Sequence, residues 1–178
     1  MDVCLITTAP GPALAAEAVR AYLAAFSQPP YGEGPDQGAA FLERVERYAR
    51  ERDGFRFVTA RSDGGQVTGV CLAVLARPGD WWRDQAAAAL APEVASRWLG
   101  DSCLEIVHVA VVPAVQRHGI GHLMHDVLMA GSPAPTGVLS CHPAAVPAQR
   151  FYLARGWAVL TRNFAAGDER FWLMARDL

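Results

Sequence analysis

The chain of 178 residues has no lysine; all sixteen of its strong cations are arginine. That absence excludes a Walker-type phosphate lysine, a Schiff-base lysine and a lysine anchor for pyridoxal phosphate. Codon bias in a GC-rich genome is sufficient to account for it. Cysteine is also sparse. Cys4, Cys71, Cys103 and Cys141 are widely spaced and form no C-x-x-C pair, so neither a structural zinc site nor a disulfide framework is expected, and a reduced, cytoplasmic setting fits. No run of 18 apolar residues occurs, which argues against a membrane span. The opening residues MDVCLITTAPGP lack the basic and long apolar regions of a signal peptide. With a formal net charge of −2 and no basic block, nucleic acid is not the expected partner. No G-x-G-x-x-G follows the first apolar run, which disfavours a dinucleotide-dependent dehydrogenase.

What is present reads as one domain over 1–178, long enough for a real core. VCLITT (3–8) is a short strand broken by Pro10, Gly11 and Pro12. Residues 13–26 and 39–52 carry apolar residues at helical spacing, with the breaker-rich loop SQPPYGEGPDQG between them. FRFVTARSDGGQVTGVCLAVLA is a strand, an Asp-Gly-Gly turn and a strand, a strong hairpin signal. Residues 77–101 predict a helical insertion opened by Trp81–Trp82. CLEIVHVAVV is a long buried strand stopped by Pro113. A helix follows the glycines near residue 119, then the strand TGVLSCHP, a helix ended by Gly156, and a closing hairpin around Ala166–Gly167–Asp168. The order β-α-α-β-β-(α)-β-α-β-α-β-β, with no repeat or linker, implies an α/β fold: a mixed sheet flanked by helices.

The segment AVQRHGIGHL (114–123) lies between the long strand and a helix. The first N–H groups of a helix lack intrahelical partners and carry partial positive charge. Glycines let an anion approach that backbone, and Gln116 and Arg117 add donors. The segment reads as a phosphate or diphosphate site, against the plainer reading of a tight turn. The pattern V-x-V-x-P followed by Q-x-x-G-x-G resembles the acetyl-CoA-binding motif of the GNAT superfamily of N-acetyltransferases, with Gln116, Gly119 and Gly121 at the matching positions. QRFYLARGW (149–157) is similar to the family's later helix, which ends Phe-Tyr-x-x-x-Gly-Phe/Trp, and Ala148 matches a small residue ahead of it. Ala145 departs from the family, which often has Asn there. EIVHVAVVPAVQRHGIGHLM is also similar to the histone-acetylating branch, but the Trp81–Trp82 insertion has no place in that branch, so a histone substrate is not implied.

The resemblance implies a GNAT-like acyl-CoA N-acyltransferase fold and acetyl-CoA as cosubstrate, with no metal. It implies that coenzyme A lies between two splayed parallel strands, CLEIVHVAVV and TGVLSCHP. Val109, Ala110 and Val111 would meet the pantetheine with their backbone, and Gln116, Arg117, His118, Gly119, Ile120, Gly121 and His122 would hold the pyrophosphate. A protonated acceptor amine, with a pKa of roughly 10, must lose a proton before attack. Glu105, the lone carboxylate in an apolar run, is the first candidate base, against a place at the strand's wet edge beside Asp101 and Ser102. His108 is the second. Strand alternation puts the two on opposite faces unless a bulge intervenes. Tyr152 is the candidate acid for the leaving thiolate, or a helix tyrosine that only packs. His118, His122 and His125 could share a helix face, but no H-E-x-x-H pattern accompanies them, and a Cys141–His142 couple is disfavoured by strand alternation.

On the acceptor side, Tyr31, Trp81 and Trp82, with Glu33, Asp36, Asp80 and Asp84 nearby, suit a cationic amine with an apolar body; at least one tryptophan is expected to pack the insertion onto the sheet. A small-molecule amine is the expected acceptor. A protein N-terminus or lysine, and a non-catalytic acyl-CoA-binding role, are the alternatives. No nucleic acid or membrane partner is expected, and the sequence leaves a homodimer open.

Overall fold

The structure, a computed structural model, describes residues 2–178. The strands are β1 (Asp2–Ile6), β2 (Arg56–Arg61), β3 (Val67–Ala76), β4 (Cys103–Val111), β5 (Thr136–Cys141), β6 (Ala158–Ala166) and β7 (Glu169–Asp177). The helices are α1 (Pro12–Phe26), α2 (Pro35–Glu51), α3 (Trp81–Ala88), α4 (Pro92–Leu99), α5 (Ile120–Met129) and α6 (Val146–Ala154), with a 3-10 turn at Pro113–Val115. The strands hydrogen-bond in the order β1-β2-β3-β4-β5-β7-β6. β4 and β5 are parallel, whereas β1–β2, β2–β3, β5–β7 and β6–β7 are antiparallel, so this is the expected mixed α/β sheet.

Two element readings need correction. The insertion is two eight-residue helices, not one, because Pro92 has no N–H to continue α3 and instead opens α4 at a first-turn position. Helix α2 begins four residues earlier than its apolar spacing indicates. Pro35 sits in its first turn, and Gln37 Oε1 accepts from the Gly34 N–H at 2.9 Å, anchoring the start before Phe41, the first core residue.

The chain forms two compact units. The first takes in the chain up to Val74 together with Val107–Gly131, and the second Leu75–Ile106 with Ser132–Leu178; β3 and β4 contribute residues to both. The core of the first unit gathers Tyr22 from α1, Phe41 and Val45 from α2, Phe57, Val70, Leu72 and Val74 from β2 and β3, and Ala110 from β4. Helix α5 packs on this part of the sheet because Gly69 leaves it room: a Cβ there would stand 2.6 Å from Met124 Sδ and 3.1 Å from the Ala110 carbonyl. The buried Arg56 of β2 then fastens the far end of α5. Its Nε donates to the Leu128 carbonyl at 2.7 Å and its Nη2 to Ala130 at 2.5 Å. A guanidinium at a helix C-terminus satisfies orphan carbonyls and complements the helix dipole.

The second unit has its own core of Ala76, Leu99, Cys103, Val138, Phe164 and Leu173. Trp157 is fully buried there, against the position where Gly137 lacks a side chain.

Candidate active site

Strand β4 changes character along its length. Cys103 to Ile106 are buried, whereas Val107, His108 and Val109 are half-buried. The parallel ladder with β5 runs from Leu104↔Gly137 to Ile106↔Leu139, and β4 continues five residues beyond it. Glu105, opposite Val138 in that ladder, is only 5 % exposed. It is therefore not at a wet strand edge.

Past β4 the chain turns through the 3-10 turn into the glycine loop. Arg117 takes a left-handed backbone at φ 65°, and Gly119, which caps α5, lies at φ 85°. At Gly119 the backbone conformation, not crowding, calls for glycine: a Cβ would meet nothing within 4 Å. The His122 N–H is drawn back to the Gly119 carbonyl at 3.0 Å, while the N–H groups just before it have no acceptor inside their own helix. The exposed side chain of Arg117 flanks this helix start. Open space at Gly119, the start of a ten-residue helix and a neighbouring exposed guanidinium together fit a pyrophosphate.

Gln116 departs from its expected use. Its side-chain Nε2 donates to the Val111 carbonyl at 2.8 Å, and the backbone carbonyl of Gln116 accepts from the His118 Nδ1–H, also at 2.8 Å. The Gln116 side chain thus ties the loop to the end of β4, and the Val111 carbonyl is already engaged. Loop backbone and Arg117 remain as phosphate donors.

The group that surrounds His108 has no signature in the spacing of the chain. Arg44 of α2 donates from Nη1 to His108 Nε2 at 2.8 Å, so the neutral ring carries its proton on Nδ1. Burial, and then the charge of Arg44, pull the imidazole down to about 3 from 6.5. Edge-on aromatic rings enclose it: Tyr22 at 5.2 Å, Phe41 at 5.6 Å and Phe26 at 6.0 Å between centroids. Tyr22 stacks between Phe26 and Phe41, and its hydroxyl donates to Glu33 at 2.5 Å. Burial, with that carboxylate next, pushes the phenol far above its usual range. Tyr31, 37 % exposed, packs edge-on to Phe26 at 4.7 Å. The first unit therefore holds an aromatic cluster built from α1, the loop after it, α2 and β4, bordered by one carboxylate and one guanidinium; Tyr22 and Phe41 are buried in its core, and Phe26 and Tyr31 lie toward its surface. Helical spacing places Tyr22 and Phe26 on one face of α1, and Phe41 and Arg44 on one face of α2.

The remaining candidates lie in the second unit. Trp81 is 65 % exposed at the start of α3. Trp82 packs edge-on to Phe164 at 5.8 Å and borders the second core, so it is the tryptophan that packs the insertion. Tyr152 is buried on α6, edge-on to Phe151 and Trp157. Burial raises the Cys141 thiol to about 11, far from a nucleophile's range. Among the described residues no group of three or more His, Cys, Asp or Glu side chains is placed to hold a metal, and no helix is long and apolar enough to cross a membrane.

Comparison with known proteins bears on the family and the fold. The family model described as the acetyltransferase (GNAT) family matches residues 16–157. Among solved structures, an agmatine N-acetyltransferase variant in its apo form aligns over 100 % of both chains with TM-score 0.66 at 13 % identity. The Naa20 of Chaetomium thermophilum, bound to a bisubstrate analogue, aligns over 100 % of this chain and 87 % of its own, with TM-score 0.64 at 18 % identity. A GNAT-family acetyltransferase of Staphylococcus aureus gives TM-score 0.66 at 14 % identity over 99 % of both chains. At such identities the likeness is one of fold. No curated protein matches the sequence. By its family match, which spans the aromatic cluster, the glycine loop and the Phe-Tyr helix, the chain belongs to the GNAT family of acetyltransferases.

Proposed function

We propose that the protein transfers an acetyl group from acetyl-CoA to the primary amine of a small molecule by direct attack. The observation that carries the acceptor side is the aromatic cluster of Tyr22, Phe26, Tyr31 and Phe41 around His108, whose less buried members are Phe26 and Tyr31. Apolar walls with a few placed polar groups are what a small ligand requires. Structural neighbours named as agmatine and arylalkylamine N-acetyltransferase-like proteins support the same reading.

When bound, acetyl-CoA supplies the activated acetyl group. The loop backbone from Arg117 to His122, with the Arg117 side chain, takes its pyrophosphate, and the backbone of Val109 and Ala110 takes its pantetheine as an added strand would. Glu105 removes the proton of the acceptor ammonium, directly or through water. The amine nitrogen then bonds to the thioester carbonyl carbon, the C–S bond breaks, Tyr152 protonates the departing sulfur, and the extra proton left on the nitrogen passes through solvent to restore the Tyr152 phenol, leaving a neutral amide. His108 is the weaker choice of base, because its Nε2 lone pair is occupied by Arg44 and its ring resists protonation. Its part is to brace Arg44. Trp81, exposed on α3, remains a candidate contact for the acceptor, whereas Trp82 is spent on Phe164.

The experiment is an acetyl-transfer assay over a panel of amines, read as coenzyme A release. Glu105→Gln should lower kcat by roughly 10²- to 10⁴-fold near neutral pH. That loss should shrink as pH approaches the amine's own pKa of about 10, where the acceptor no longer needs a base. A Glu105→Gln protein as active as its parent at every pH would remove Glu105 from the mechanism. A second reading, acetylation of a protein N-terminus, draws on the similarity to Naa20; peptide acceptors preferred over every small amine would establish it instead.

A further inference from the structure

Two charges border the aromatic cluster, and they are not equally committed. Glu33 accepts the Tyr22 hydroxyl, which fixes its carboxylate against the ring. Arg44 is half-buried, and among the described residues its guanidinium donates to one group, the uncharged ring of His108. Among the same residues no carboxylate lies within ion-pair distance of it. Glu43 and Glu46 are its neighbours in sequence, but residues one and two apart on a helix do not face each other. A guanidinium has five N–H donors in a planar fork. Here one is used, on an acceptor that brings no negative charge. A cation partly withdrawn from water without a counter-ion is costly unless an anion completes it.

The arrangement also sets where that anion would lie. His108 holds the guanidinium from the strand side, and the half-buried stretch of β4 begins beside it. Phe26 and the partly exposed Tyr31 form an apolar surface of the same cluster, with Phe26 edge-on to the His108 ring. Glu33 meets the Tyr22 hydroxyl and Arg44 meets His108, and the Tyr22 and His108 rings pack edge-on at 5.2 Å, so the two charges share one small region.

We propose that the acceptor is an amino acid or a close analogue, with its carboxylate on Arg44 and its apolar body against Phe26 and Tyr31. The inference rests on the acetyltransferase reading and narrows its acceptor to carboxylate-bearing amines. Arg44 is then a specificity-determining residue. His108 is a positioning residue that acts through it.

The test compares matched ligands: phenylalanine with 2-phenylethylamine, and leucine with 3-methylbutylamine, titrated calorimetrically into the full chain with and without coenzyme A. The carboxylated member of each pair should bind roughly 10- to 100-fold tighter, as charge-assisted hydrogen bonds imply. Arg44→Met should bring that ratio close to one, and Arg44→Lys should leave an intermediate ratio, since an ammonium keeps the charge but loses the fork. Thermal melting confirms that both variants fold, and Lys serves if Met does not. Equal binding within each pair, or binding of neither member, overturns the assignment. So does an unchanged ratio in a folded Arg44 variant. Acetyl-CoA is titrated separately. If it fails to bind, the transfer reading falls while a carboxylate preference still stands. If it binds and amines are acetylated without that preference, only the carboxylate assignment falls.

Discussion

At the scale of single residues, His108 shows how environment overrides type. A histidine on a strand near a candidate active site invites the role of base, since its ordinary pKa suits proton transfer. Here Arg44, separated from it by 64 positions, occupies its acceptor nitrogen, and burial holds it neutral. No periodicity within one sequence pairs a residue of α2 with one of β4, so this contact was not legible. The consequence is testable. The unfolded chain charges His108 near 6.5, the folded protein only near about 3. Between those values the unfolded state binds more protons, so this group's contribution makes stability fall as pH drops through the window. His108→Gln should therefore lose less stability than its parent between pH values of about 7.5 and 4.5 in urea unfolding, where the linkage operates. Identical losses would contradict the assignment. Glu105 illustrates the opposite case: a lone carboxylate in an apolar run was visible in sequence, and its burial is what such a run imposes.

At the scale of elements, the sequence was most informative where backbone chemistry is local. The Asp63–Gly64–Gly65 turn, the stop at Pro113 and the helix start at Gly119 were each carried by residues with special φ or a missing N–H. It was least informative where a helix is set by a tertiary partner or a cap, as at the start of α2. The mooring of α5 was also hidden. Gly69 and Arg56 lie on the hairpin strands, far in sequence from the helix they seat. Gly69→Ala forces a methyl toward the Ala110 carbonyl and Met124, and should destabilise the protein by about 1–3 kcal/mol. Arg56→Met strands carbonyls at the end of α5 and should cost about 2–4 kcal/mol. Denaturant midpoints check both, and a midpoint unchanged in either variant would show that α5 is not held in this way.

At the scale of the molecule, the mixed sheet and the order of its elements followed from alternating strand and helix patterns, and the structure bears them out. The proposed acceptor side was only half legible. Tyr31 and Glu33 stood out in a breaker-rich loop, but Tyr22, Phe26 and Phe41 read as ordinary apolar helix faces, which they also are. An aromatic residue that packs a core and one that walls a pocket have the same spacing. Only the charged residues enclosed with them mark the difference.

The account's central claim is that the glycine loop and the start of α5 bind acetyl-CoA. Calorimetric titration of the purified protein with acetyl-CoA, using adenosine as control, tests it most directly. The account predicts saturable one-site binding of acetyl-CoA, none of adenosine at comparable concentration, and weakening when Gly119 is replaced by valine, whose branched side chain disfavours a left-handed backbone. No binding at millimolar acetyl-CoA would mean that QRHGIG is only a turn, and the catalytic reading built on it would fall.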